Sequence, residues 1–188
     1  MNSAKKRGRL VIISAPSGTG KTTVIRRFLY ENPNMIHSIS CTTRPIRPGE
    51  INGKDYHFMD ERKFRDGVAN DKFAEWAGVH NYLYGTPREQ IEGWINEGKD
   101  VLLDLDVVGG LRLRKLYKDD SISIFLAPPS MDELKRRLFE RATDSKEVQE
   151  LRLTNALKEM EFKGKYDHQI VNDDLERAYK EIERILAA

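Results

Sequence analysis

The run Ala15-Pro16-Ser17-Gly18-Thr19-Gly20-Lys21-Thr22-Thr23 carries the residue types and spacing best suited to chemistry. A phosphate-binding loop asks for Gly, four residues, Gly, Lys and then Ser or Thr. Every element is present except the first glycine, which is Ala15 and needs ordinary backbone angles there. Gly18 and Gly20 let the backbone approach an anion closely, so successive N–H groups can cradle phosphate where a helix begins. Lys21 supplies a point charge, and the Thr22 hydroxyl suits Mg²⁺, an ion that keeps several waters. A glycine-rich turn without a ligand is the alternative for this run, but its place between an apolar strand and a helix favours phosphate.

A second cluster is Arg44-Pro45-Ile46-Arg47-Pro48, two arginines three apart on a stiff, non-helical stretch. Forked guanidinium groups held this way suit a phosphate dianion, and a solvated basic turn fits the same spacing equally well. Asp104 and Asp106 follow an apolar strand, so alternation points both to one side at its C-terminal end, where open α/β sheets bind ligands. They suit a water-mediated contact to Mg²⁺ or a contact to substrate; Asp106 can instead cap a helix beginning at Val107. Arg137 and Arg141 lie four apart on one helix face, and Arg152 lies on the next helix. His37, His57, His80 and His168 read as structural or surface residues.

Elements must position these groups. Residues 10–13 form a continuous apolar run, expected as a buried parallel strand. A helix is expected over 21–31, stopped by Asn32-Pro33-Asn34. Residues 36–84 hold short alternating segments, such as 37–40 and 56–58, and one helix near 60–68, which together suggest mostly antiparallel strands. Pro87 suits the first turn of a helix through Ile91 and Ile95, with Gly98 as its stop. Strands are expected at 101–103, 122–126 and 168–171. Ser130 and Glu133 predict a capping box for a helix to about Arg141, followed by helices over 147–162 and 175–186. Strands alternating with helices imply a parallel sheet covered on both faces.

Composition narrows the partners. The 188 residues suit one domain, and a net charge of +2 gives no general attraction to nucleic acid. No run approaches the ~20 apolar residues of a membrane span. Cys41 is the lone cysteine, so no intrachain disulfide is possible and a cytoplasmic setting is expected.

Taken in order, these motifs resemble guanylate kinase. The resemblance rests on Ser40-x-Thr-Thr-Arg44-x-x-Arg47-x-Gly-Glu50, Asn52-Gly-x-x-Tyr56, Asn81-Tyr-Leu-Tyr84-Gly-Thr86, Leu103-Asp-Leu-Asp106, Ala127-Pro-Pro-Ser130 and Ile170-Val-Asn172-Asp-Asp-Leu175, and covers nearly the whole chain. It implies an α/β fold: a P-loop kinase core over 8–37, 87–129 and 163–188, an inserted, mostly antiparallel acceptor lobe over 38–86, and a helical lid over 130–162. It implies phosphoryl transfer from ATP to GMP with Mg²⁺ held by Thr22, with Asp104 contributing through water. Ser40, Arg44, Arg47, Tyr56 and Tyr84 would hold the GMP phosphate. Glu75 would read guanine, helped by Ser40, Thr86 and Asp106, with Asp104 also near GMP. Lys21, Arg137, Arg141 and Arg152 would meet the transferring phosphates, and Asn172 would lie near adenine unless it caps the last helix. The carboxylate chemistry agrees, because guanine offers N1–H and N2–H₂ side by side whereas adenine turns a lone pair to the same place. Without the resemblance, Glu75 also reads as an exposed acid beside Trp76. Two departures from the family pattern are Ala142, where glycine is frequent, and Val108, where Gln often precedes the glycine. Rival functions are a kinase of another phosphorylated acceptor, such as a ribose bisphosphate, and a non-catalytic phosphopeptide-binding module.

Overall fold

The computed structural model describes residues 6–79, 81–140 and 146–188; the basic start over 1–5, His80, Arg141 and Ala142 lie outside them. Strand β1 (Leu10–Ser14) is buried along its whole length, as a strand covered on both faces must be. Chain order continues with α1 (Lys21–Glu31), β2 (Ile36–His37), β3 (Cys41–Thr42), β4 (His57–Phe58), α2 (Glu61–Ala69), β5 (Phe73–Val79) and β6 (Tyr82–Pro87). Then follow α3 (Arg88–Asn96), β7 (Val101–Leu105), α4 (Val107–Leu116), β8 (Ser121–Ala127), α5 (Met131–Phe139), α6 (Lys146–Met160), β9 (His168–Val171) and α7 (Leu175–Ala187). A five-stranded sheet has the order β2-β7-β1-β8-β9, and a four-stranded sheet has the order β4-β3-β6-β5. In the large sheet β2–β7 and β8–β9 pair in parallel. In the small one β3–β6 and β5–β6 are antiparallel and β3–β4 is parallel, so the mostly antiparallel expectation holds.

Two local expectations need correction. The segment 37–40 is not one strand: β2 joins the large sheet and β3 the small one, because the chain must cross between sheets here. Pro87 closes β6 and precedes α3 instead of opening its first turn; its extended ψ of 117° is what strand pairing with Phe73 requires.

The chain divides into two compact units. The first holds the N-terminal stretch to Val11, Met35–Leu103 and Arg112–Ser121. It contains the small sheet, whose core is Cys41, Phe64 and Phe73, with the two rings stacked 4.4 Å apart. Gly85 is required there, since a β-carbon would lie 2.9 Å from the Phe73 ring. Each such ring contributes about 1.5–3 kcal/mol on burial. The second unit holds Ile12–Asn34, Asp104–Leu111 and Ile122–Ala188. Its clusters are Val107, Phe125, Ala127 and Tyr166, and, joining α5 to α6, Leu134, Leu138 and Ala156. Among the described residues no helix is long and apolar enough to cross a membrane.

Candidate active site

The loop between β1 and α1 turns through Gly18 (φ 86°) and Gly20 (φ 92°), left-handed conformations that glycine enters without penalty. Among the described residues, non-glycine positive φ occurs only at Asp71 and Asn81, so Ala15 keeps ordinary backbone angles and its methyl group is accommodated. Ala15, Pro16 and Thr19 are buried, Gly18 and Gly20 are half-buried, and Ser17, Thr22 and Thr23 are exposed at the mouth of the loop and the first turn of α1. Lys21 forms an ion pair with Asp104 and donates to the Leu105 carbonyl at 2.7 Å, which brings its ammonium to the C-terminal end of β7. The Ser17 N–H donates to Glu159 at 3.4 Å, and burial raises the pKa of that carboxyl above the usual range.

The loop is braced from behind. Asp174, not Asn172, caps α7, accepting from the Arg177 N–H at 2.8 Å. Asn172 is buried, and its Nδ2 donates to the Thr19 carbonyl at 2.7 Å. Arg137 donates to the same carbonyl at 3.2 Å and to the Asn172 carbonyl at 3.4 Å, while its Nε meets Glu133 at 2.7 Å. Ser130 caps α5, accepting from the Glu133 N–H at 3.1 Å, but the expected capping box is only half formed, because the Glu133 carboxylate turns to arginines of its own helix. The Glu133 carboxylate pairs with Arg136 and Arg137, which hold its pKa down at about 2. Asp106 takes the capping role that its position allowed: one oxygen accepts from Val108 and Gly109 N–H groups at 2.8 and 2.9 Å. Arg152 lies half-buried on α6, and Arg141 is outside the described residues.

On the small sheet, register places Glu75 of β5 against Thr86 of β6. Both are buried, and the Thr86 hydroxyl donates to the Glu75 carboxylate at 3.0 Å, so the acid beside Trp76 is not a surface group. Arg44 is only 7% exposed and donates to both Glu50 oxygens, at 3.0 and 2.6 Å. Its guanidinium lies 5.4 Å from the Tyr56 ring centroid and 5.6 Å from that of Phe58, and its hydrogen bond with Tyr84 also favours its charge. The Arg47 N–H donates to Glu50 at 2.8 Å, closing the turn. Pairing with Arg44 holds the Glu50 carboxyl below the ordinary carboxylate range. Tyr56 and Tyr84 meet edge to face at 5.9 Å. Ser40 is half-buried, its carbonyl accepting from His57 N–H at 2.9 Å. On this sheet the structure therefore gathers Arg44, Tyr56, Tyr84, Glu75 and Thr86 from four separate segments. Cys41 faces the apolar side, and burial pushes its thiol up to about 11, out of the reactive range.

The guanylate kinase family model matches residues 7–188. The chain belongs to the guanylate kinase family. Among its relatives, the guanylate kinase of Zymomonas mobilis is 44% identical over 181 residues, which is 96% of this chain and 84% of that protein. That of Thermotoga maritima is 44% identical over 180 residues, covering 96% and 86%. The crystal structure of guanylate kinase from Anaplasma phagocytophilum superimposes with a TM-score of 0.81 at 34% identity, covering 98% of this chain and 87% of that one. Shikimate kinase from Bacteroides thetaiotaomicron, at 14% identity and a TM-score of 0.54, shares the fold alone.

Two acids in these sites escaped the sequence reading. Glu50 ends the family's Arg-x-Gly-Glu run, so its position was visible, but its pairing with Arg44 depends on a turn that only folding closes. Glu159 has no local signal, because it reaches the phosphate loop across 142 residues.

Proposed function

We propose that this chain transfers the terminal phosphoryl group of ATP to GMP, yielding ADP and GDP. The observation that carries the acceptor is the buried Glu75 carboxylate, fixed by Thr86 on the same sheet as the doubly held Arg44. A carboxylate buried this way recognises the paired N1–H and N2–H₂ donors of guanine, with Ser40 and Thr86 assisting, and penalises a base that turns a lone pair toward it. Arg44, Arg47, Tyr56, Tyr84 and Ser40 hold the GMP phosphate. A ribose bisphosphate would have no use for Glu75, and a binding module would have no use for Lys21.

The nucleophile is a phosphate oxygen of GMP, largely ionised at neutral pH because its second pKa is ~6, so no general base is needed. Catalysis then consists of aligning two anions and offsetting their charge. The loop over 15–23 cradles the triphosphate, whose arrival competes with Asp104 for the Lys21 ammonium. The Thr22 hydroxyl and Asp104 carboxylate are hard oxygen donors fit for Mg²⁺, which supplies countercharge to the phosphates when bound. At such a site Thr22 and Asp104 would act together with oxygens of the nucleotide and water. Asp104 and Asp106 lie at the end of β7, where they also suit contact with GMP. Residues 38–86 act as the acceptor lobe, 130–162 as the lid bearing Arg137, Arg141 and Arg152, and the rest as the core. The single buried thiol of Cys41 suits a cytoplasmic enzyme.

Steady-state ADP formation from Mg-ATP with GMP, AMP, CMP, UMP or no acceptor tests the proposal. Turnover with GMP alone is the expected result. Equal turnover with every nucleotide, or turnover without any, refutes it.

A further inference from the structure

A planar trans peptide points its carbonyl and its N–H in opposite directions. The Thr19–Gly20 peptide therefore directs the Gly20 N–H away from whatever holds the Thr19 carbonyl. Gly20 cannot fix that choice by itself, because glycine accepts either sign of φ at similar cost and a flip of this peptide mainly exchanges one sign for the other. A flipped peptide would turn a carbonyl oxygen toward the phosphates in place of a donor.

We infer that Asn172 is a positioning residue for phosphate binding: it locks the Thr19–Gly20 peptide so that the Gly20 N–H faces the phosphate cradle. The inference rests on the kinase reading above. The Asn172 side chain donates to the Thr19 carbonyl at 2.7 Å, and both residues are at least nine-tenths buried. Its own backbone is tied down, the Asn172 N–H donating to the Ala127 carbonyl at 2.8 Å. A β-carbon on Gly20 would lie 2.9 Å from Asn172 Nδ2, so the lock also excludes larger residues at that loop position. Arg137 reinforces it at 3.2 Å from the same oxygen, coupling α5 to the loop. The capping role open to Asn172 from its sequence context belongs to Asp174, which frees the amide for this purpose.

Calorimetric titration of ATP and of inorganic tripolyphosphate, which has no base, tests the inference on the parent chain, Asn172→Ala and Asn172→Asp. Both ligands should weaken about tenfold in the alanine variant, the scale of one lost buried hydrogen bond. They should weaken further in the aspartate variant, whose carboxylate confronts the Thr19 carbonyl without donating, while GMP affinity stays unchanged. Loss of ATP binding alone would assign Asn172 to the adenine and overturn the inference. So would aspartate outperforming alanine, the order expected of a residue that only fills space, or lowered melting temperature with both affinities intact. A reading without variants is hydrogen exchange of the Asn172 side-chain amide in the parent protein; protection is expected free and with tripolyphosphate, and rapid exchange in both states refutes the lock. Should the parent chain fail to bind tripolyphosphate the inference falls, and GMP-dependent ADP formation in the same preparation shows whether the kinase reading falls with it.

Discussion

The phosphate loop offers an anion chiefly backbone: nine consecutive residues turn through Gly18 and Gly20 into the start of α1, and Lys21 is the one strong side-chain charge of the run. The proposed acceptor site is instead built of side chains brought together from the Arg44 turn, Tyr56, β5 and β6, with Arg44 and Glu75 already partnered. Removing a side chain from the loop leaves most of its donors in place. Removing one from the sheet leaves its buried partner unsatisfied, and this raises the cost of every substitution there.

Substitution can break that contrast, and the largest effect belongs to the exception within the loop. Lys21→Ala should lower kcat by about 10²–10³-fold, as for loss of one donor aimed at developing charge, with melting temperature preserved. A loss under tenfold would mean that the backbone alone suffices. Glu75→Gln should lower kcat/KM for GMP roughly 10- to 100-fold and leave ATP affinity unchanged; parallel loss of both would dissolve the separation between the regions. Glu50→Gln tests whether partners on the sheet matter as much as ligands: freeing Arg44 should raise KM for GMP about tenfold with kcat little altered. An unchanged KM would mean that the aromatic rings, Tyr84 and the Pro45 carbonyl hold Arg44 without Glu50.

The smallest effect is on acid stability. Glu133 titrates at about 2 in the folded protein, against ~4.3 for an ordinary glutamate, because Arg136 and Arg137 stabilise its charge. A lowered folded-state pKa contributes stability that is complete above the ordinary value and is lost as pH falls toward 2. Chemical denaturation between pH 5 and 2 should therefore show a shallower decline in Glu133→Gln than in the parent, and added salt should shrink the difference. Equal slopes would remove Glu133 from the account. Glu50 contributes with the same sign, since Arg44 lowers its carboxyl too.

Local signals were legible. The buried β1, the helix over Lys21–Glu31, the Ser130 cap and the strand at His168–Val171 all lie where periodicity and capping residues put them. Each is decided by neighbours within a few positions, where side-chain spacing and backbone propensity act directly. The split of 37–40 between two sheets was not legible, because a two-residue strand carries no periodicity and takes its partner from distant chain.

The amino-acid sequence by itself marked a loop of the phosphate-binding type, since its glycines, lysine and threonine lie within nine consecutive residues. Its match to the family in register extended that to the acceptor lobe. Tertiary structure decided the partners of these acids and amides: Glu75 buried against Thr86, Glu50 closing on Arg44, Asp106 capping α4, and Asn172 turned to Thr19 while Asp174 caps α7. The physical reason is that a carboxylate or amide has several satisfactory partners in any sequence, and only desolvation in the packed protein selects among them.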